Sequence, residues 1–207
     1  MAPFSPALAG TALSIARIND TEQTFFEYEL PANAKWGYTT HFWITTEQDA
    51  CDAATIRFYV DGEAPIEFNP PMASGVAWGD QTVFMHKWAG NGAERSAWNI
   101  NYRIPFAKSL RITYQLPAGV HTDTVFMIVR GITDTPLTIG GVEIPLPAAK
   151  MQLQKKNETL QPMDFLSIVD TPSTMDGLVF MTTLAFQAAN EHSLEGCFHF
   201  YVGPRAN

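Results

Sequence analysis

The stretch TIRFYVDGEAPIEF, Thr55–Phe68, decides the fold class. Ile56, Phe58 and Val60 alternate with Arg57 and Tyr59, the period of two expected of a strand with one buried face. Asp61-Gly62 then supplies two residues that tolerate positive φ, as a two-residue hairpin turn requires. The reading is a hairpin, Thr55–Val60 against Ala64–Phe68, with Ile56, Phe58 and Val60 inside and Arg57 more exposed.

Working outward, similar bursts recur between turn residues. Upstream lie Thr24–Leu30 and Tyr38–Thr45, the latter with Phe42 and Ile44 opposite His41 and Trp43. Downstream lie Trp98–Ile104, Leu110–Leu116 and Thr124–Ile132. Between them Asn69–Arg95 carries NPP, SG, WGD and GNG and reads as a long loop. Ala148–Asn157 is the best helix candidate and equally an extended linker. Short strands at this spacing predict an all-β protein, an antiparallel jelly-roll β-sandwich.

The second part of the chain reads differently. Thr133–Pro162 holds TDTP, IGG, PLP and the polar run QLQKKNETLQ, a linker signature. Asp164–Val169, Leu178–Ala188 and Cys197–Val202 then read as three more strands. Three strands do not close a jelly roll of about eight. Either these strands join the first sheet system or they begin a further domain, with Thr133–Pro162 as the boundary. The chain ends on GPRAN directly after a strand, which reads as a truncated or spliced product.

Composition narrows the function classes. At 46% hydrophobic and 16% charged, the chain is globular rather than disordered. A net charge of −8 argues against nucleic acid as a partner, since phosphate binding needs clustered Lys and Arg. No apolar run is long enough to span a bilayer as a helix, so no membrane partner is expected. The opening MAPFSPALAGTALSIA lacks a basic n-region. Cys51 and Cys197 lie far apart and lack CxxC spacing, so their pairing and the compartment stay open.

Few residues carry chemistry. Paired carboxylates serve as acid and nucleophile or base, and Glu63, Glu67 and Glu195 are the candidates by placement. Glu63 follows the turn and reads as solvent-facing, and Glu67 alternates with Ile66 and Phe68 as an outer-face residue. Glu195 opens an apolar strand in SLEGCFHFYV. His41, His86, His121, His192 and His199 show no metal-ligand spacing, and no GxSxG, phosphate loop or GxGxxG occurs. No metal and no cofactor are expected. Trp78 and Trp88, in the breaker-rich stretch, are the aromatics placed to line a carbohydrate site.

The order of motifs resembles glycoside hydrolase family 172, whose activities include difructose dianhydride synthase/hydrolase and related furanosidases. An aromatic HIW-like strand looks like HFWIT (His41–Thr45), and a WDGE-bearing strand looks like RFYVDGE (Arg57–Glu63). A PMPF-like turn and ARITL-like strand look like YRIPFAKSLRITY (Tyr102–Tyr114), and an EGD-type strand looks like LEGCFHFYVG (Leu194–Gly203). The N-terminal Arg/Asn/Asp-rich segment survives at best as ARIND (Ala16–Asp20), and EGD reads EGC, with Cys197 in the acidic place.

The resemblance implies double jelly rolls that assemble as homo-oligomers and act on fructosyl or arabinosyl furanosides, with a first jelly-roll domain over 1–132, a linker over 133–162 and the start of a second jelly roll over 163–207. It also implies catalytic glutamates in a GTGTEDYF-like segment and further on, which this sequence does not contain. Glu195 carries over as a member of the EGD-type motif only. The expectation is a carbohydrate-active protein with little or no activity alone. The alternative is a non-catalytic jelly-roll module for glycan binding or oligomeric assembly.

Overall fold

The computed structural model describes residues 8–14, 20–47, 50, 53–68, 83–90, 93–100, 102–122, 124–154, 156, 158–161, 163–171, 176–179, 182 and 199, with backbone alone for 8–14, 83–90 and 93–100. It is all-β with antiparallel sheets. The chain divides into two compact units between Leu153 and Gln154.

The first unit is a two-sheet sandwich. One sheet runs β1 (Leu8–Ser14), β10 (Val125–Thr133), β3 (Gly37–Glu47), β7 (Ala93–Ile100) and β6 (Val83–Gly90), with β8 (Pro105–Phe106) also on β3. The other runs β2 (Gln23–Glu29), β9 (Ser109–Gln115), β4 (Thr55–Val60) and β5 (Ile66–Phe68). β1 to β4 alternate between the sheets, and the late strands β9 and β10 insert between early ones. That nesting is jelly-roll topology, with β6 an added edge strand. A short hairpin, β11 (Thr138–Ile139) with β12 (Val142–Glu143), follows.

Strand alternation builds the core. Ile56, Phe58, Leu110, Ile112, Phe42, Ile44, Val125, Met127 and Val129 are all buried. Phe42 of β3 meets Phe58 of β4 edge to face across the sandwich, with centroids 5.3 Å apart. Tyr28 of β2 meets Phe106 of β8 in the same way at 6.0 Å. Each such buried side chain contributes about 2–3 kcal/mol by removal from water.

The 55–68 hairpin forms, and its register refines the reading. Asp61 and Gly62 have φ of 55° and 78°, and Glu63 N–H donates to the Val60 carbonyl at 2.9 Å. Phe58 pairs with Ile66 and Arg57 with Glu67, so the loop is one residue longer than a two-residue turn allows. The ladder spans only Ile66–Phe68, because Pro65 has no N–H to donate. The shift is what the apolar pattern demands. A register one residue tighter sets Ile66 against Arg57 on the solvent face, whereas here Ile66 is buried beside Phe58.

The expected loop Asn69–Arg95 is corrected in its second half, which forms the β6–β7 hairpin. Its breakers cluster before Val83 and at Asn91-Gly92, and Gly90 pairs with Ala93 across the two residues between them. Asn-Gly flanked by alternating residues is a hairpin signal in its own right.

Two bulges matter. Arg130 pairs with His41 and Gly131 with Thr39, leaving Thr40 as an extra residue on β3. The Arg103 guanidinium donates to the Thr40 carbonyl at 2.6 Å. On β2, Thr24 pairs with Thr113 and Phe26 with Ile112, leaving Phe25 as the extra residue.

After β10 the chain stays on this unit. The Asp134 carboxylate accepts the Lys35 N–H at 2.7 Å, and Leu137 is buried. The described part of Ala148–Asn157 is not helical. In the second unit, Asp164–Val169 forms no strand, and exposed Phe165 lies with its ring 5.1 Å from that of His199. Leu178–Ala188 and Cys197–Val202 lie almost wholly outside the described residues.

Candidate functional site

The outer face of the β2-β9-β4-β5 sheet carries the densest polar chemistry. The Phe25 bulge creates it. Without an extra residue, Glu22 and Thr24 point opposite to Glu27 and Glu29, because an odd spacing switches faces. The bulge turns Phe26 and Tyr28 toward Ile112 and Leu110 and returns Glu27 and Glu29 to the outer face. Cross-strand rows follow from the register: Thr24–Thr113–Arg57–Glu67 and Glu27–Arg111–Tyr59.

One half of this face is a closed network. The Arg57 guanidinium donates from Nε to Glu67 Oε2 at 2.9 Å and from an Nη to Gln115 Oε1 at 2.7 Å, and it lies 3.5 Å from Glu22. Glu22 Oε1 accepts from the Tyr59 hydroxyl at 2.7 Å and the Thr113 hydroxyl at 2.6 Å. Burial alone raises the Glu22 carboxyl, but those two hydroxyls with Arg57 and Arg111 hold it below the usual range. The same hydrogen bond, with help from burial, holds the Tyr59 phenol above its usual value.

The other half opens into a cavity of about 440 Å³ walled by Glu27 and Glu29, Arg111, Tyr59 and the 62–65 turn. Arg111 stacks on the Tyr59 ring at 3.9 Å. Glu63 is on its rim, exposed and bonded to Lys150 Nζ at 2.6 Å. Lys150 also reaches Asp61 Oδ2 at 3.2 Å. The Asp61 side chain is tucked under the β8–β9 turn, 5% exposed, where its carboxylate accepts the backbone N–H groups of Ala107, Lys108 and Ser109.

These positions bear on the candidates. Glu67 is an outer-face residue committed to Arg57, and Glu63 is an exposed residue committed to Lys150. They stand at different ends of the sheet face, not as a pair across a cleft. Trp88 belongs to β6, opposite Arg95, rather than to a loop. Glu195, Trp78, Cys51 and Cys197 lie outside the described residues. No cluster of three metal-ligating side chains occurs among the described residues. The reading by sequence missed Glu27, Glu29 and Arg111. The signal is the adjacent pair Phe25-Phe26, two large apolar residues in a row inside an alternating strand.

Glu27 and Glu29 sit two apart on one strand, about 7 Å between Cα atoms. Glycoside hydrolysis needs two carboxyl groups on either side of the scissile bond. Two neighbours on one strand approach a ligand from the same side. The arrangement suits binding more than bond cleavage. Residues 17–130 match the family model described as the GH172 first beta-sandwich domain. No curated protein matches the chain.

Proposed function

Because the chain belongs to glycoside hydrolase family 172, matched over more than half its length, we propose that it serves furanoside chemistry of the fructosyl or arabinosyl type by binding glycan. Family membership makes it a carbohydrate-active protein at the coarse level. The furanose class follows from the motifs HFWIT, RFYVDGE and YRIPFAKSLRITY, which resemble those of furanosidases in this family.

One observation supports little hydrolysis by the chain alone. The carboxylates of the DGE turn and its strand are already engaged: Asp61 by three backbone N–H groups, Glu63 by Lys150 and Glu67 by Arg57. Protonating a leaving oxygen while attacking an anomeric carbon takes two carboxyl groups placed about the same bond. Glu27 and Glu29, on one strand, do not meet that requirement.

The test is turnover of aryl arabinofuranosides and fructosyl disaccharides by the purified chain and by a Glu195→Gln variant. Absent or trace turnover in both supports the proposal. Robust turnover that disappears with Glu195→Gln overturns it and makes Glu195 catalytic.

A further inference from the structure

The two halves of the outer sheet face differ in one respect. Around Arg57, the charged groups are bonded to one another. At the cavity, Glu27 and Glu29 have no side-chain partner among the described residues, although Arg111 pairs with Glu27 in the ladder and lines the same space. Exposed carboxylates need no partner to be stable. Here, however, they stand on a half-open surface depression of about 440 Å³ beside a stacked Arg–Tyr pair.

We propose that this cavity is a non-catalytic binding site for a short neutral oligosaccharide. It deepens the reading above and takes the carbohydrate class from it. The chemistry of the walls selects the ligand. Carboxylates are acceptors only, so Glu27 and Glu29 take hydrogen bonds from vicinal hydroxyls. The Arg111 guanidinium is a donor only and serves ring and glycosidic oxygens. Its stacking on Tyr59 at 3.9 Å keeps the planar group in place, which lowers the entropy lost on binding. Pro65 and Ala64 give the turn wall carbon surface for the apolar face of a sugar ring.

The competing ligands fit less well. A divalent cation needs several oxygens converging on one point, and no three acidic groups among the described residues do so. An anionic glycan meets Glu27, Glu29 and Glu63 with Arg111 as the only basic residue in the lining. Lys150 offsets Glu63 from the rim. Groups spread around a volume, rather than converging, match a molecule with hydroxyls on several sides.

The experiment is saturation-transfer NMR and calorimetric titration of the full chain with α-1,5-arabinotriose, 1-kestose, maltotriose, trigalacturonate and calcium chloride. A Glu27→Gln/Glu29→Gln double variant and an Arg111→Ala variant are titrated alongside, with thermal unfolding to establish that they are folded. The expected result is binding of at least one neutral trisaccharide, weakened tenfold or more in the double variant at unchanged unfolding temperature. Trigalacturonate and calcium are expected not to bind. Failure of all three neutral sugars, or affinity unchanged in both variants, overturns the site. Calcium or trigalacturonate binding that the double variant abolishes overturns the ligand class. Binding of maltotriose without arabinotriose or 1-kestose supports the site and contradicts the furanose reading, while turnover in the aryl-furanoside assay speaks to the proposed function alone.

Discussion

The Asp61 carboxylate accepts the backbone N–H of Lys108 at 2.6 Å, tying the β4–β5 turn to the turn between β8 and β9 across 47 residues of sequence. The same side chain takes the N–H groups of Ala107 and Ser109, while the Asp61 N–H donates to the Ser109 carbonyl at 2.9 Å. A single left-handed residue therefore closes two turns at once. It also fixes the 62–65 wall of the cavity relative to β9.

This relationship predicts an acid-sensitive step in stability. Burial raises the Asp61 carboxyl, but the N–H donors of Ala107, Ser109 and Lys108, with Lys150, bring it below its ordinary value. A carboxyl lower in the folded than in the unfolded chain contributes stability above its unfolded value, about 3.9, which is lost as pH falls through the folded value. Asp61→Asn keeps tolerance of positive φ but loses the charge. We expect a loss of about 1–2 kcal/mol at pH 7. Chemical denaturation across pH should show the two proteins converging in acid. A constant gap down to pH 2 contradicts the assignment.

Gly62 tests backbone strain without side-chain clash. Its φ is +78°, and a Cβ built there meets nothing within 4 Å. Gly62→Val should cost about 1 kcal/mol or more through conformation alone, lowering the unfolding temperature by about 2–4 °C per kcal/mol. An unchanged unfolding temperature contradicts the turn geometry.

Gly37 tests packing. It pairs with Phe106, and a Cβ there stands 2.5 Å from Phe106 Cζ and 2.8 Å from Cε2. The Phe106 ring is buried, so it has little room to move. Gly37→Ala should cost about 1–3 kcal/mol by overpacking. Denaturant titration reads the loss, and Gly37→Ala with Phe106→Leu should recover part of it.

Legibility in the sequence followed periodicity. Ile56, Phe58 and Val60 are inside as their alternation says, and so are Phe42 and Ile44 opposite half-buried His41 and Trp43. The all-β, antiparallel sandwich class followed from the strand bursts. Two features were hidden because they break the period. The Phe25 bulge shifts the phase within β2, so Glu27 and Glu29 cannot be put on the face of Glu22 by counting. The β6–β7 hairpin was masked by neighbouring breakers, although Asn91-Gly92 marked its turn. The Lys150 contact with Asp61 and Glu63 spans 89 and 87 residues, and no local pattern announces it.

The central claim is binding of glycan without cleavage. One tube holding the chain and α-1,5-arabinotriose tests it most directly, by saturation-transfer NMR at the start and proton spectra of the anomeric region over a day. The account predicts saturation transfer to the trisaccharide with no appearance of free arabinose or arabinobiose. Release of those products at a rate proportional to chain concentration, or absence of transfer both here and in a second tube holding 1-kestose, contradicts it.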